Sequence, residues 1–386
     1  MKTRTDRDAA PAAIATTPSG VAEHNDESAE PTIAVGRARR RRDGVNSHEV
    51  ARLAGVSQAT VSRVINGHLA VRGETRRRVE EAMQALGYVP NAAARSLITH
   101  QTQLLGLVVS NITNGFYPEI IEAITARAVD EGYTVILGSA GERAASQARY
   151  LRLLAEQRVD GVILTSTLLG DAPDIESLVE AGLPIVLANR ARSDLPIDSV
   201  ALDNEAAGLA ATRHLIEHGR HAIAFVGGRP DSPTDRDRFA GYEAAHREAG
   251  MAVQSVLVSH GEFTREFGYH QTLELARFGA VDGIVAGDDT IALGCLDALA
   301  DAGLSVPSDV SVIGFDDIPA ASLRRISLST ISGSAREMGT GALALLLERI
   351  AGTATDSPRR VVLPANLILR GSCGLHSTDH VAFEPG

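Results

Sequence analysis

Five side chains at helical spacing, Gln58, Ala59, Ser62, Arg63 and Asn66, make a small outward polar face of the kind that reads base edges. Its one guanidinium suits bidentate contact with guanine. The elements that must position this face are legible around it. Residues 50–66 pattern as two short amphipathic helices joined at a glycine, the helix-turn-helix arrangement that puts a helix into the DNA major groove. Ala51 is small enough to let the helices cross closely, Gly55 can take the left-handed conformation of the turn, and Ser57 can cap the second helix. Val50, Leu53, Val56, Val61, Val64 and Ile65 are the expected core. A third helix is predicted over 74–86, with Val79, Ala82, Met83 and Leu86 facing inward, stopped by Gly87-Tyr88-Val89-Pro90. The following Asn91-Ala92-Ala93-Ala94-Arg95-Ser96-Leu97 is too short to be a stable isolated helix.

Other chemistry is thinly represented. His214 and His218 stand four apart with His221 beyond, a spacing that can hold zinc, but no Glu follows His214 and no metal site is expected. There is no G-x-S-x-G elbow, no phosphate-binding G-x-x-x-x-G-K-S/T loop and no G-x-G-x-x-G turn, so neither an enzyme nor a cofactor is indicated. Cys295 and Cys373 alone give no disulfide framework.

The 386-residue chain carries a net charge of -11, which at first argues against nucleic acid. Its distribution reverses the argument: residues 37–100 hold 12 Arg against 5 acids, and residues 101–386 hold 22 Arg against 37 acids. The basic portion is where DNA should lie. Residues 1–44 are rich in Ala, Thr, Pro and acids, read as disordered, and end in Arg37-Ala38-Arg39-Arg40-Arg41-Arg42. That cluster either tracks DNA phosphates or is a solvated leader, or the start lies too far upstream. No apolar run approaches membrane-spanning length and no signal-peptide core opens the chain, so a cytoplasmic, nucleoid-associated protein is expected.

Residues 49–97, with V-A-x-x-A-G-V-S-x-x-T-V-S-R-V-I-N and then T-R-x-x-V-x-x-A-M-x-x-L-G-Y-x-P-N-x-x-A-R-S-L, closely resemble the LacI-type bacterial transcription regulators. The likeness continues to about residue 372. It implies a homodimer, most often a repressor, on a palindromic operator. Gln58, Ala59 and Arg63 would lie nearest the bases, with Ser57, Thr60, Ser62 and Asn66 at or beside the phosphates. Residues 92–97 would form a hinge helix that contributes Arg95 and wedges Leu97 into the minor groove. Two departures stand out: Ser47 replaces a usual apolar residue, and Arg72 replaces the usual Ser cap of the third helix.

From residue 104 the chain alternates strand-like runs (104–110, 133–138, 161–165, 184–188, 199–202, 223–226, 256–259, 283–286 and 310–315) with helical ones (118–131, 144–157, 205–218, 238–250 and 291–302). The expected class is α/β, with parallel sheets covered by helices behind an all-α headpiece. The resemblance implies a two-lobed, periplasmic-binding-protein-like body: 103–200 plus 332–361, and 201–331 plus 362–376. The whole chain then divides into a tail (1–44), headpiece (45–90), hinge and linker (91–102), effector and dimerisation body (103–376) and a C-terminal tail (377–386).

Ligands of open parallel sheets sit beyond the carboxyl ends of the strands. The loops there offer Asn111, Phe116 and Tyr117, then Asn189-Arg190 and Asp203. Later loops add Arg238, Phe263, Asp288 and Asp316, all matching cleft positions of the family. Carboxylates and amides beside a guanidinium suit vicinal hydroxyls, and the rings suit an apolar sugar face. Asn189-Arg190 resembles the Asp-Arg pair of pentose binders, so a sugar or derivative leads and a nucleoside or purine is second. Asp288 and Gly333 replace the Asn and Gln of many relatives, so no one relative's specificity carries over. The rival class is a sugar-binding or sugar-processing protein with a fused DNA-binding head.

Overall fold

The structure is a computed structural model that describes residues 46–65, 71–88, 101–168, 172–277, 279 and 281–374. They fall into two compact units, a helical one up to residue 88 and an α/β one from residue 101.

In the helical unit, α1 (Ser47–Ala54) starts with a reciprocal cap. Asn46 Oδ1 accepts from the Glu49 amide at 3.1 Å, and Glu49 Oε2 accepts from the Asn46 amide at 3.0 Å. It ends at Gly55, left-handed at φ 64°. A Cβ there would come within 2.7 Å of Arg78 Nη2, which donates to the Ala54 carbonyl. Arg78 belongs to α3 (Gly73–Leu86) and so pins that helix to the turn. Between them α2 (Gln58–Ile65) starts with Ser57 Oγ accepting from the Thr60 amide at 3.2 Å. Val50, Ala51, Ala54, Val61, Val64, Val79 and Ala82 are buried together. Leu53, expected in this core, is 55% exposed. The buried stripe of α1 centres between Val50 and Ala51, and Leu53 lies roughly 100° around the helix from it. At the start of α3, Arg72 makes no side-chain cap, as its chemistry implies.

The α/β unit holds two six-stranded sheets. The first has the order β11-β5-β4-β3-β1-β2, from β1 (Leu104–Val109), β2 (Thr134–Ser139), β3 (Gly161–Leu164), β4 (Ile185–Ala188), β5 (Asp198–Leu202) and β11 (Arg360–Leu363), all parallel. The second runs β12-β10-β9-β8-β6-β7, from β6 (Ile223–Gly227), β7 (Val258–His260), β8 (Gly283–Ala286), β9 (Ser311–Phe315), β10 (Ser329–Ser332) and β12 (Asn366–Ile368). Only β12 is antiparallel to its neighbour.

Alternate residues serve opposite faces. In β1, Leu105, Leu107 and Val109 join Ile120 and Ile124 of α4 (Tyr117–Asp130), whereas Val108 joins Leu151 and Leu154 of α5 (Ala144–Glu156). The helix α6 (Ala172–Glu180) adds Ile175 to that second face. In the second sheet Phe225 and Val285 pack with Ala211 of α7 (Asn204–Glu217) and Tyr242 of α8 (Pro233–Glu248). Ala224 and Ile284 point the other way, toward Ile291 of α10 (Asp289–Asp301), which α9 (Arg265–Arg277) flanks. The helix α8 begins at Ser232-Pro233, five residues before the expected 238, because Pro suits a first helical turn.

The chain passes between the lobes three times: after β5, after β10 into α11 (Ala335–Ile350), and between β11 and β12. These passages lie side by side, for the Asp203 amide donates to the Leu363 carbonyl at 3.2 Å, and a Cβ on Gly333 would meet Leu202 at 2.6 Å. Among the described residues no helix is long and apolar enough to cross a membrane.

Candidate functional site

The facing strand ends line a small cavity. Arg238 is its most constrained group. A Cβ on Gly208 of α7 would stand 2.1 Å from the Arg238 carbonyl, so the bare glycine lets α8 approach and brings Arg238 within reach of α7. Its Nε donates to Asn204 Oδ1 at 2.9 Å, Nη1 to the Gly287 carbonyl at 2.5 Å and Nη2 to Asp316 Oδ1 at 3.1 Å. The guanidinium lies 4.4 Å from the centroid of the Phe315 ring. Asp316 is held with φ 101°.

Across the cleft, Arg190 forms a two-pronged pair with Glu142, Nη1 to Oε2 at 2.7 Å and Nη2 to Oε1 at 2.8 Å. Its Cζ lies 5.5 Å from the Phe263 ring centroid. Asn189, left-handed at φ 69°, donates through Nδ2 to the Tyr117 hydroxyl at 3.4 Å, and that hydroxyl donates to Ser110 Oγ at 3.0 Å. Phe116 meets Tyr117 edge-on at 5.5 Å. One hydrogen bond joins the lobes at the cavity: Asn114 Nδ2 donates to Asp288 Oδ2 at 2.8 Å. Asp288 Oδ1 also caps α10 through the Ile291 amide at 2.7 Å. Burial, reinforced by Asp316, pushes the Asp288 carboxyl up, against the hydrogen bonds from Ile291 and Asn114. Burial likewise raises Asp316, and Arg238 works against it.

Eight expected residues line this cavity: Phe116, Tyr117, Asn189, Arg190, Arg238, Phe263, Asp288 and Asp316. Two do not. Asn111 Oδ1 accepts from the Thr113 amide at 3.0 Å, a local loop bond, and Asp203 Oδ1 caps α7 through the Ala206 amide at 2.9 Å. Asn114, Glu142 and Thr234 line the cavity as well. Asn114 shares a loop with Asn111, and Glu142 follows the carboxyl end of β2, so the strand-end rule reaches both. His214 and His218 stack at 4.2 Å, and burial, with His218 alongside, holds His214 down at about 4. Among the described residues no group of three metal-ligating side chains occurs.

On the helical unit, Ser57, Gln58, Ala59 and Arg63 are exposed and Thr60 and Ser62 half-buried, so α2 presents the expected polar face. Gln58 Nε2 donates to Ser47 Oγ at 3.1 Å. Asn66, Arg95, Leu97 and the expected hinge helix lie outside the described residues.

A helix-turn-helix unit and a two-lobed body with a cleft cavity define a ligand-responsive DNA-binding regulator. The chain belongs to the LacI family: residues 48–91 match the model for bacterial regulatory proteins of the lacI family, and residues 102–370 that for periplasmic binding proteins and the sugar binding domain of the LacI family. It is 38% identical over 331 residues to the HTH-type transcriptional regulator CelR of Thermobifida fusca, covering 84% of this chain and 96% of that one. To the HTH-type transcriptional regulator RegA of Clostridium saccharobutylicum it is 36% identical over 326 residues, covering 84% and 98%. The structure of the lac repressor dimer bound to operator and the anti-inducer ONPF aligns with a TM-score of 0.76 at 29% identity, over 86% of this chain and 99% of that one. A CelR–cellobiose complex aligns at 0.66 and 35% identity, over 85% and 99%. The protein is a transcriptional regulator and not an enzyme.

Proposed function

We propose that this protein is a cytoplasmic, nucleoid-acting repressor that binds a palindromic operator as a homodimer and is switched by a sugar held between its lobes. The observation that carries the effector assignment is the cavity itself. Two guanidinium–carboxylate pairs, Arg238–Asp316 and Arg190–Glu142, face it together with the Phe116 and Phe263 rings, a lining that offers hydroxyl partners and apolar faces at once. A sugar is supported by the similar structure of a CelR–cellobiose complex and by the relative named CelR.

Gln58, Ala59 and Arg63 read bases, Ser57, Thr60, Ser62 and Asn66 lie at or beside the phosphates, and residues 91–102 carry the hinge with Arg95 and Leu97. Coupling needs only that sugar prefer one lobe geometry and operator another. The test is a fluorescence anisotropy titration of genomic fragments with the full-length protein, with and without neutral sugars. At least one sugar is expected to change operator affinity tenfold or more. Operator affinity indifferent to every sugar refutes the effector reading, and no preference over random competitor DNA refutes the operator reading.

A further inference from the structure

We infer that Glu142 makes the cleft selective by charge: it occupies the guanidinium fork of Arg190, so the effector is an uncharged polyol and its phosphorylated or carboxylated analogues are rejected. This rests on the cavity being the effector site.

Arginine captures phosphate or carboxylate by pointing two parallel N–H groups at two oxygens. On Arg190 both terminal nitrogens already donate to the two oxygens of Glu142, at 2.7 and 2.8 Å, with the side chains 3% and 12% exposed. An incoming anion could use this fork only by displacing a buried carboxylate, and anywhere else on Arg190 it would lie beside that carboxylate's charge. Arg238 is equally committed, its three nitrogens shared among Asn204, Gly287 and Asp316. Of its five N–H donors Arg190 gives Glu142 one from each terminal nitrogen, and Nε, buried, has no hydrogen-bond partner among the described residues. With the charge of Arg190 already neutralised by Glu142, the donors left along its Nε edge suit neutral hydroxyl oxygens, and the Phe263 ring, 5.5 Å from Cζ, offers an apolar sugar face.

The wider field points the same way. The lining holds Glu142, Asp288 and Asp316 against Arg190 and Arg238. Arg229, whose charge also feels Glu142, is paired with both Asp231 and Glu262. Among the described residues that line the cavity, both cations, Arg190 and Arg238, are already paired with a carboxylate. Glu142 itself is a non-glycine residue at φ 57°, a conformation that L side chains rarely adopt, so its carboxylate is presented to Arg190 at some backbone cost.

The experiment is isothermal titration calorimetry of the full-length protein with four probes: glucose, cellobiose, glucose 6-phosphate and inorganic phosphate. Wild type, Glu142→Gln and Glu142→Gly are compared, the glycine variant because it relieves the left-handed backbone and keeps the fold if glutamine does not. A double variant, Glu142→Gln with Arg190→Met, separates the cleft from anion binding on the basic helical unit. The expected result is at least a tenfold gain in affinity for glucose 6-phosphate or phosphate in either single variant, abolished in the double variant. Wild type that binds these anions as tightly as the single variants, or a gain that survives loss of Arg190, overturns the inference. If the gain appears and no neutral sugar binds wild type, the charge filter stands and the sugar reading falls.

Discussion

Replacing Asp198 by Asn isolates one buried charge that holds the returning C-terminal segment to the first lobe. The Asp198 side chain is fully buried at the start of β5. Its Oδ1 accepts from Arg349 Nη2 at 2.6 Å and the Arg359 amide at 2.8 Å, and its Oδ2 from Arg359 Nη2 at 2.7 Å and Arg349 Nε at 3.0 Å. Burial by itself would raise this carboxyl, but the hydrogen bonds from Arg349 and Arg359 overcome it and bring it from 3.8 down to about 2. At roughly 1.36 kcal/mol per pH unit, that drop corresponds to about 2.4 kcal/mol of folding stability. Loss of one partner of a buried pair costs about 3–5 kcal/mol in general. Here both arginines are about a quarter exposed, and Arg349 keeps the Thr355 and Ser357 carbonyls while Arg359 keeps Glu348, so the lower end applies. The expected loss for Asp198→Asn at pH 7 is therefore about 2–3 kcal/mol in urea unfolding followed by circular dichroism. Because the folded pKa lies below the unfolded one, this stabilisation is complete above about pH 4 and is lost as pH falls through about 2. The gap between wild type and variant should narrow to roughly half by pH 3. A gap that stays constant from pH 7 to pH 3, or is under about 0.5 kcal/mol at pH 7, refutes the assignment.

Three further outcomes follow from the sites. Arg63→Ala should weaken discrimination between operator and random DNA by about 1–3 kcal/mol, read by competition anisotropy, because Arg63 is the exposed guanidinium of α2. In calorimetry with whichever sugar alters operator binding, Arg238→Ala should lower affinity at least a hundredfold, and unchanged affinity removes Arg238 from the site. Asn114→Ala deletes the hydrogen bond to Asp288 that ties the lobes, worth about 0.5–1.5 kcal/mol, since burial leaves that carboxyl only partly ionised near neutral pH. X-ray scattering of the sugar-free protein should then show a larger radius of gyration, and an unchanged radius means that bond does not hold the cleft shut.

The continuous apolar runs announced β1, β3, β4, β6, β8 and β9, because strands buried on both faces have no polar side to break the pattern. Ser329–Ser332 is three-quarters hydroxyl residues and Asn366–Ile368 only three residues long, so β10 and β12 carry no such signal and exist through their neighbours. Strand ends together with the family resemblance pointed to eight of the cavity residues. They left open which amide of one loop turns inward, and Asn114 does so, since the Asn111 side chain closes on Thr113. Glu142 escaped for a different reason. The strand-end rule reaches its loop, but its pairing with Arg190, 48 residues away, follows from no local pattern.

The side-by-side passages between the lobes bear on how this polypeptide is made. β11 is the outer strand of one sheet and β12 the outer strand of the other, and both are translated only after residue 359. Until then β5 and β10 each leave the ribosome with an uncovered flank of main-chain donors and acceptors, an invitation to pair with another nascent molecule. A messenger truncated shortly before that point would yield a product damaged in both halves at once, prone to aggregate instead of surviving as one sound lobe.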